Sequence, residues 1–250
     1  MNDNGLPDLT GRVALVTGAS RGIGYALALK IAAAGAHVIA VARTQGGLEE
    51  LDDNIQAAGG QASLVPLDLT DMEAIDRLGG VINDRWGRLD ILVANAGVLG
   101  PMGPIGQAKA KDFERVVDLN VRSVWRLIRS TDPLLRKSDA GRALIMSSKA
   151  AHFAKAYWGP YAMSKAAVEA LARSWANETK QTKLTVNSVN PGATRTHMRA
   201  QAMPGEDATT LPTPETVAAS IVHLCGPAST ETGKIWNVRE QSWQSYSNPE

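Results

Sequence analysis

The feature that most constrains this chain is an alternation: short runs rich in Val, Ile and Leu recur between longer stretches of helical period. The runs are "RVALVT" from Arg12, "HVIAVA" from His37, "ASLVPLD" from Ala62, "LDILVANA" from Leu89, "RALIMSS" from Arg142, "KLTVNSVN" from Lys183 and "KIWNV" from Lys234. Several are apolar almost throughout, as strands are when helices cover both faces of a parallel sheet. Helical period is found over 23–34, 47–58, 71–86, 113–135, 161–179 and 214–224. The pattern predicts one doubly wound α/β domain over 1–250, with a seven-stranded parallel sheet flanked by helices. No repeat or low-complexity linker interrupts it, and 250 residues suit a single domain of this class. Two segments stand outside the alternation. The stretch 197–213, "HMRAQAMPGEDATTLPT", has Pro and Gly but no period and is expected to be a substrate loop; 239–250 is expected to be a short tail.

Charge narrows the partners. A formal net charge of +1 provides no broad basic field for nucleic acid and no polybasic membrane patch. No segment approaches the roughly twenty apolar residues of a membrane span, and the first residues, "MNDNGLPDLTGR", lack the pattern of a secretory signal. A cytoplasmic location is expected. The single cysteine, Cys225, sits in the apolar pattern "VAASIVHLC" and reads as a core residue. Asn, His and Asp residues do not cluster with zinc-ligand spacing, so no metal is expected; His37 and His223 read as structural or solvated.

After the first strand comes "TGASRGIG", with Gly18, Gly22 and Gly24, leading directly into a helix near Ile23. Glycines let the backbone turn tightly and approach a pyrophosphate, while the helix start offers unpaired N–H groups. The spacing is not the commoner G-x-G-x-x-G, and an ordinary turn is the competing reading. Its place between strand and helix favours a dinucleotide cradle of Rossmann type. An acidic residue closing the second strand would accept hydrogen bonds from the ribose of NAD. Here that strand ends "VIAVARTQ": Ala42 stands in the acidic position and Arg43 follows it. A guanidinium suits a 2'-phosphate, and Arg21 in the glycine loop could reach the same region. NADP is therefore favoured over NAD.

Tyr161 and Lys165, four residues apart at the start of a predicted helix, share one face. A nearby ammonium favours a phenolate, which would bring a phenol toward useful acid/base strength. Ser148 ends the strand "RALIMSS", at the sheet edge where open α/β folds bind ligands. Its hydroxyl could donate to a carbonyl oxygen. Strand-end serines are also common turn formers, and Tyr/Lys pairs at this spacing arise by chance, so the residues alone leave both readings open.

The order of the pieces goes further. The glycine loop, "DLTD" at Asp68, "ANAG" at Asn95, "DLNV" at Asn120, Ser148, "YAMSK" and "NPGATRTHM" from Asn190 together resemble the classical short-chain dehydrogenase/reductases over nearly the whole chain. Several stretches look most like a little-characterised bacterial branch of that family. The resemblance implies an oxidoreductase that interconverts a ketone or aldehyde with an alcohol by hydride transfer. It implies Tyr161 as acid/base, Ser148 as the group positioning the carbonyl, Lys165 as the residue that lowers the Tyr161 pKa and holds the nicotinamide ribose, and Asn120 as the holder of a relay water. Ser148 is chosen over Ser147 because the family places its serine thirteen residues before the tyrosine. Gly18, Ser20, Arg21, Gly22, Ile23, Gly24 and Arg43, together with Tyr161 and Lys165, are then expected at the cofactor, with Asp68 and Leu69 at the adenine. Asn95, Ala96 and Gly97 should line the cofactor, and Pro191, Gly192, Thr194 and Thr196 should approach the carboxamide. A homodimer or homotetramer is implied as well.

Two departures bear on the substrate loops and the C-terminal packing. "SSKAAHF" lacks the glycine often found after the serine, and "VREQSW" replaces a common Asp-Gly-Gly. His152, Phe153, Trp158 and 197–211 are expected near the substrate. Arg195, His197 and Arg199 suggest an anionic one, although Glu206 and Asp207 nearly cancel their charge. The competing functional classes are a cofactor-binding scaffold without turnover, against which the intact Asn120, Ser148, Tyr161 and Lys165 argue, and nucleotide-sugar chemistry, for which the C-terminal part leaves little room.

Overall fold

The computed structural model describes residues 5–246. In chain order the elements are β1 (Val13–Thr17), α1 (Gly22–Ala33), β2 (His37–Ala42), α2 (Gln45–Ala57), β3 (Gln61–Pro66), α3 (Met72–Trp86), β4 (Ile91–Ala94), α4 (Ala110–Val117), α5 (Ser123–Leu135), β5 (Arg142–Met146), α6 (Ala150–Phe153), α7 (Gly159–Glu178), β6 (Thr185–Asn190), α8 (His197–Ala202), α9 (Pro214–Ile221), β7 (Ile235–Asn237) and β8 (Ser242–Gln244). They form one α/β domain of Rossmann type around a sheet of order β3-β2-β1-β4-β5-β6-β7-β8.

Helices cover both faces. Leu27, Ile31, Leu48, Leu51, Val217 and Ile221 pack α1, α2 and α9 on one side. Ile75, Ile82, Leu127, Leu134, Val168 and Trp175 pack α3, α5 and α7 on the other. This explains the unbroken apolar runs: β1, β4 and β5 are buried at every residue. Helix starts follow local chemistry, with the Asp71 side chain accepting from the Ala74 N–H, and Thr213 accepting from the Thr216 N–H ahead of Pro214. The strand order reverses between β1 and β4, so the crevice outside their carboxyl ends is where a fold of this topology binds a ligand.

The structure corrects the sequence reading in four places. The sheet has eight strands rather than seven, because "SWQ" folds back antiparallel on β7 and sets Trp243 edge-on to Trp236 at 5.2 Å. Residues 239–246 are therefore part of the sheet edge rather than a tail; 247–250, like 1–4, lie outside the described residues. The helix expected over 113–135 is interrupted at Asp118–Arg122 by a π turn, an insertion that pure periodicity does not reveal. The stretch 197–213 is not structureless: Thr196 caps α8, and Ala208–Thr210 form a 3-10 turn. The last helix tightens into a 3-10 turn over Val222–Cys225. Cys225 is buried as expected, and burial pushes its thiol up to about 12. No helix among the described residues is long and apolar enough to cross a membrane.

Candidate active site

A cleft of about 980 Å³ opens at the carboxyl ends of the strands. Its first wall is the glycine loop. Gly18 has φ +67°, and a side chain there would begin 2.8 Å from the Asn95 amide nitrogen. The Asn95 side chain braces this turn by donating to the Thr17 carbonyl at 2.9 Å, while the Asn95 and Ala96 N–H groups donate to the Thr17 hydroxyl. Gly24 serves packing: a Cβ there would lie 2.4 Å from both the Gly18 carbonyl oxygen and the Asn95 amide. Gly24→Ala should therefore lower stability by about 1–3 kcal/mol, as overpacking against backbone does. An unfolding midpoint equal to the parent's would contradict this close approach.

The start of α1 faces the cleft without a side-chain cap, since Arg21 at that position is extended and caps nothing. The first N–H groups of the helix are thus left for a ligand, and an anion is the complementary one. Ser20, Arg21, Gly22 and Ile23 line this part of the cleft, with Ala42, Arg43 and Thr44 beside them. The Arg43 side chain is half exposed and lies 3.9 Å from the Asp68 carboxylate. That separation is a loose pairing in solvent, which leaves Arg43 available to a stronger anion. Asp68 accepts from the Thr70 N–H and hydroxyl and sits at the rim, while Leu69 lines the cleft. Arg115 and Asp112, from α4, also line it and had no motif to mark them. The opposite wall carries Pro191 and Thr196. Gly192 and Thr194 shape the turn instead: the Gly192 N–H donates to the Asn190 side chain, and the buried Thr194 hydroxyl bonds back to the Gly192 carbonyl.

Tyr161, Lys165 and the end of β5 meet at the centre. Tyr161 is 8% exposed, with its ring edge-on to Trp158 at 6.1 Å. Burial raises the phenol pKa, and a hydrogen-bonding contribution from Ser148 opposes it. Lys165 donates to the Met146 carbonyl at 2.7 Å, and its ammonium is 5.7 Å from the Tyr161 ring centroid. Burial lowers the Lys165 pKa to about 8, against the pull of Glu169. The direction for Tyr161 is thus upward, set by burial against Ser148, and not the lowering expected from Lys165. Ser148 and Ser147 have different side-chain partners, and Ser147 is the one that lines the cleft. Ser147 is 3% exposed and turns inward to Glu169, whereas Ser148 is the serine interacting with the phenol.

Asn120 lies within the π turn, 1% exposed. Its amide accepts from the Val98 N–H at 2.8 Å and donates to the Val98 carbonyl at 2.9 Å and to the Ser164 hydroxyl at 3.0 Å. It therefore pins the strand end after β4 to α7, next to Gly97 and Lys165. The basic entrance expected from 195–199 is internally engaged: Arg199 forms a bidentate pair with Glu206, and Arg195 donates to the carbonyls of Ala208, Thr209 and Leu211. Both guanidiniums build the loop, while Arg195 and His197 also line the cleft.

The short chain dehydrogenase family model matches residues 12–207. An uncharacterized oxidoreductase of Escherichia coli strain K12, YciK, is 38% identical over 235 residues, covering 92% of this chain and 93% of its own. A short chain dehydrogenase structure from Salmonella enterica serovar Typhi strain CT18 superposes with TM-score 0.90 at 36% identity, covering 94% of this chain and 98% of that one. A Shigella flexneri 2a strain 301 chain, crystallised in complex with NADP, superposes with TM-score 0.89 at 36% identity, covering 94% and 99%.

Proposed function

The chain belongs to the short-chain dehydrogenase family, and on that premise we propose that it is an NADP(H)-dependent oxidoreductase interconverting a small-molecule ketone or aldehyde with the corresponding alcohol. The observation that carries this reading is the convergence of Tyr161 and Lys165, with Ser148 acting on the phenol, at one end of a cleft whose other end is an uncapped helix start flanked by Arg21 and Arg43. The residues present fit the cofactor. The free N–H groups of α1 suit its pyrophosphate, the two guanidiniums suit a 2'-phosphate, and Ala42 places no carboxylate against it. The NADP complex of the Shigella flexneri relative supports the same choice.

Bound there, NADP(H) supplies the donor or acceptor of the hydride. The chain's own residues do the rest. Ser148 holds the carbonyl oxygen by donating a hydrogen bond, which strengthens as charge develops on that oxygen. Tyr161, with a pKa raised by burial, keeps its proton at neutral pH and delivers it to the same oxygen. Lys165, anchored on the Met146 carbonyl, keeps a positive charge below pH about 8 beside the phenolate left behind. Asn120 fixes the Val98 backbone against Ser164 and so holds the cofactor-side loop onto α7. A homodimer or homotetramer in the cytoplasm belongs to the same reading; the exposed Trp125 on α5 and Met163 on α7 are apolar surface such an assembly would cover.

Fluorescence titration with NADPH and NADH under identical salt tests the cofactor assignment. NADPH should bind more tightly, and Arg43→Ala should weaken NADPH about tenfold while leaving NADH nearly unchanged, the scale of one exposed charge-assisted contact. Equal or tighter NADH binding would overturn the 2'-phosphate argument, and binding of neither would favour a scaffold.

A further inference from the structure

Directly behind the proposed catalytic residues is a buried carboxylate that the reaction itself does not require. Glu169 follows Lys165 by one helical turn on α7 and is 5% exposed. A helix that packs on a sheet ordinarily offers an apolar residue at such a position, because burying a carboxylate is costly unless it is paired and hydrogen-bonded. Here each carboxylate oxygen has a partner. One accepts from the Ser147 hydroxyl, and the other is 2.9 Å from the His152 ring nitrogen Nε2. The ammonium of Lys165 interacts with the same carboxylate through space. From the sheet edge the carboxylate also faces the Tyr246 phenol, which donates to Ser188 at 2.7 Å and is covered by Arg173.

These partners share one property: each adjoins the chemistry. Ser147 is the neighbour of Ser148 in the turn leaving β5, and its N–H is already tied to the Val189 carbonyl at 2.8 Å. With its hydroxyl held by Glu169, that residue is fixed at both backbone and side chain, so the direction of Ser148 is fixed as well. His152 belongs to α6, the one-turn helix between Ser148 and Tyr161. Beyond it the backbone is left-handed at Ala154, φ +35°, and at Tyr157, φ +71°, conformations that non-glycine residues hold only when their surroundings enforce them. The Gly103 N–H donating to the Tyr157 carbonyl holds the far end of this segment, and the His152 pair holds the near end.

We propose that Glu169 is a positioning residue, its buried carboxylate clamping the Ser147–Ser148 turn and, through His152, latching the 150–158 segment against the substrate end of the cleft. This rests on the assignment of Ser148, Tyr161 and Lys165 made above. Glu169 touches no reacting atom; it acts through Ser147, His152 and Lys165.

The experiment compares Glu169→Gln, Ser147→Ala, His152→Ala and His152→Gln with the parent, reading NADPH oxidation with a carbonyl substrate found by screening, and NADPH affinity by fluorescence. Glu169→Gln keeps the shape and loses the charge. Its kcat should fall roughly tenfold to a hundredfold, the scale of a displaced reacting group, with NADPH affinity unchanged. Because the carboxylate raises the Lys165 pKa, its loss should also move the alkaline fall of kcat to lower pH. Ser147→Ala should lower kcat without that pH shift. His152→Ala should instead raise KM for the carbonyl substrate by about tenfold, and His152→Gln, whose amide can still donate to Glu169, should restore most of it. A Glu169→Gln enzyme with parental kcat and an unmoved alkaline limb would overturn the proposal. If that variant does not fold, parental kinetics in both Ser147→Ala and His152→Ala would overturn it equally. Tyr161→Phe keeps the two readings separate: full activity there sinks the catalytic assignment, whereas an inactive Tyr161→Phe beside a parental Glu169→Gln sinks only the clamp.

Discussion

Tyr161→Phe should abolish turnover, lowering kcat by about 10²- to 10⁴-fold, while NADPH still binds with parental affinity. The substitution removes one oxygen from a ring that is 8% exposed and packed edge-on against Trp158, so the packing that places the ring survives. What is lost is the proton. Burial raises the phenol pKa, so in the parent the group stays protonated at neutral pH and is an acid ready for the reductive direction. Neither neighbour replaces it: Ser148 is a far weaker acid, and Lys165 is turned to the Met146 carbonyl. Binding should be indifferent, because the groups proposed to hold the cofactor's phosphates, the start of α1, Arg21 and Arg43, lie at the other end of the cleft. A variant with near-parental kcat would remove Tyr161 from the mechanism, and one that lost NADPH affinity as well would make the residue a binding group first.

The parts of this site that could be read from the sequence are those whose chemistry is local. A glycine loop between a strand and a helix carries its meaning in consecutive residues, and Tyr161 and Lys165 share a face by helical spacing alone. The strands were legible because β1, β4 and β5 are buried on both sides and so are apolar at every position. What stayed hidden depends on tertiary placement. Glu169 in "KAAVEALARS" belongs to no motif, and only the docking of α7 behind β5 brings its carboxylate to Ser147. Asp112 and Arg115 reach the cleft because α4 enters it, which no motif announces. The π turn around Asn120 adds a residue to a helix whose apolar rhythm continues on either side. Strand β8 is three residues long with one apolar side chain, too little for period or composition to register. In the basic loop the sequence shows that Glu206 and Asp207 can offset the arginines, but only the fold shows that Arg199 takes Glu206 while Arg195 takes backbone carbonyls.

Lys165→Met should give a protein that is inactive and more stable at neutral pH. Burial lowers the Lys165 pKa from 10.5 to about 8, so below that pH the folded chain carries an ammonium it binds less tightly than the unfolded chain does. For a basic group with a lowered pKa, the unfolded state holds more protons between pH 8 and 10.5. Stability from this group therefore rises with pH across that window, and the full cost is present below it. The cost is about 3 kcal/mol at pH 7, on the scale of 1.36 kcal/mol per unit of pKa. Methionine removes the charge and keeps the volume, but it leaves the Met146 carbonyl without its donor, which returns about 1–2 kcal/mol. The balance favours the variant by about 1 kcal/mol, or about 2–4 °C in the unfolding midpoint of a chain this size. The advantage should shrink as pH rises above 8, because the parent's own lysine is then neutral. Turnover should fall about 10³-fold, since the phenolate formed at Tyr161 loses the adjacent positive charge. A lower midpoint at pH 7 would mean that the hydrogen bond to β5 outweighs desolvation, and Lys165 would then be a structural tie as much as a catalytic charge. A raised midpoint together with lost turnover would identify the buried ammonium as strain the fold carries for the reaction.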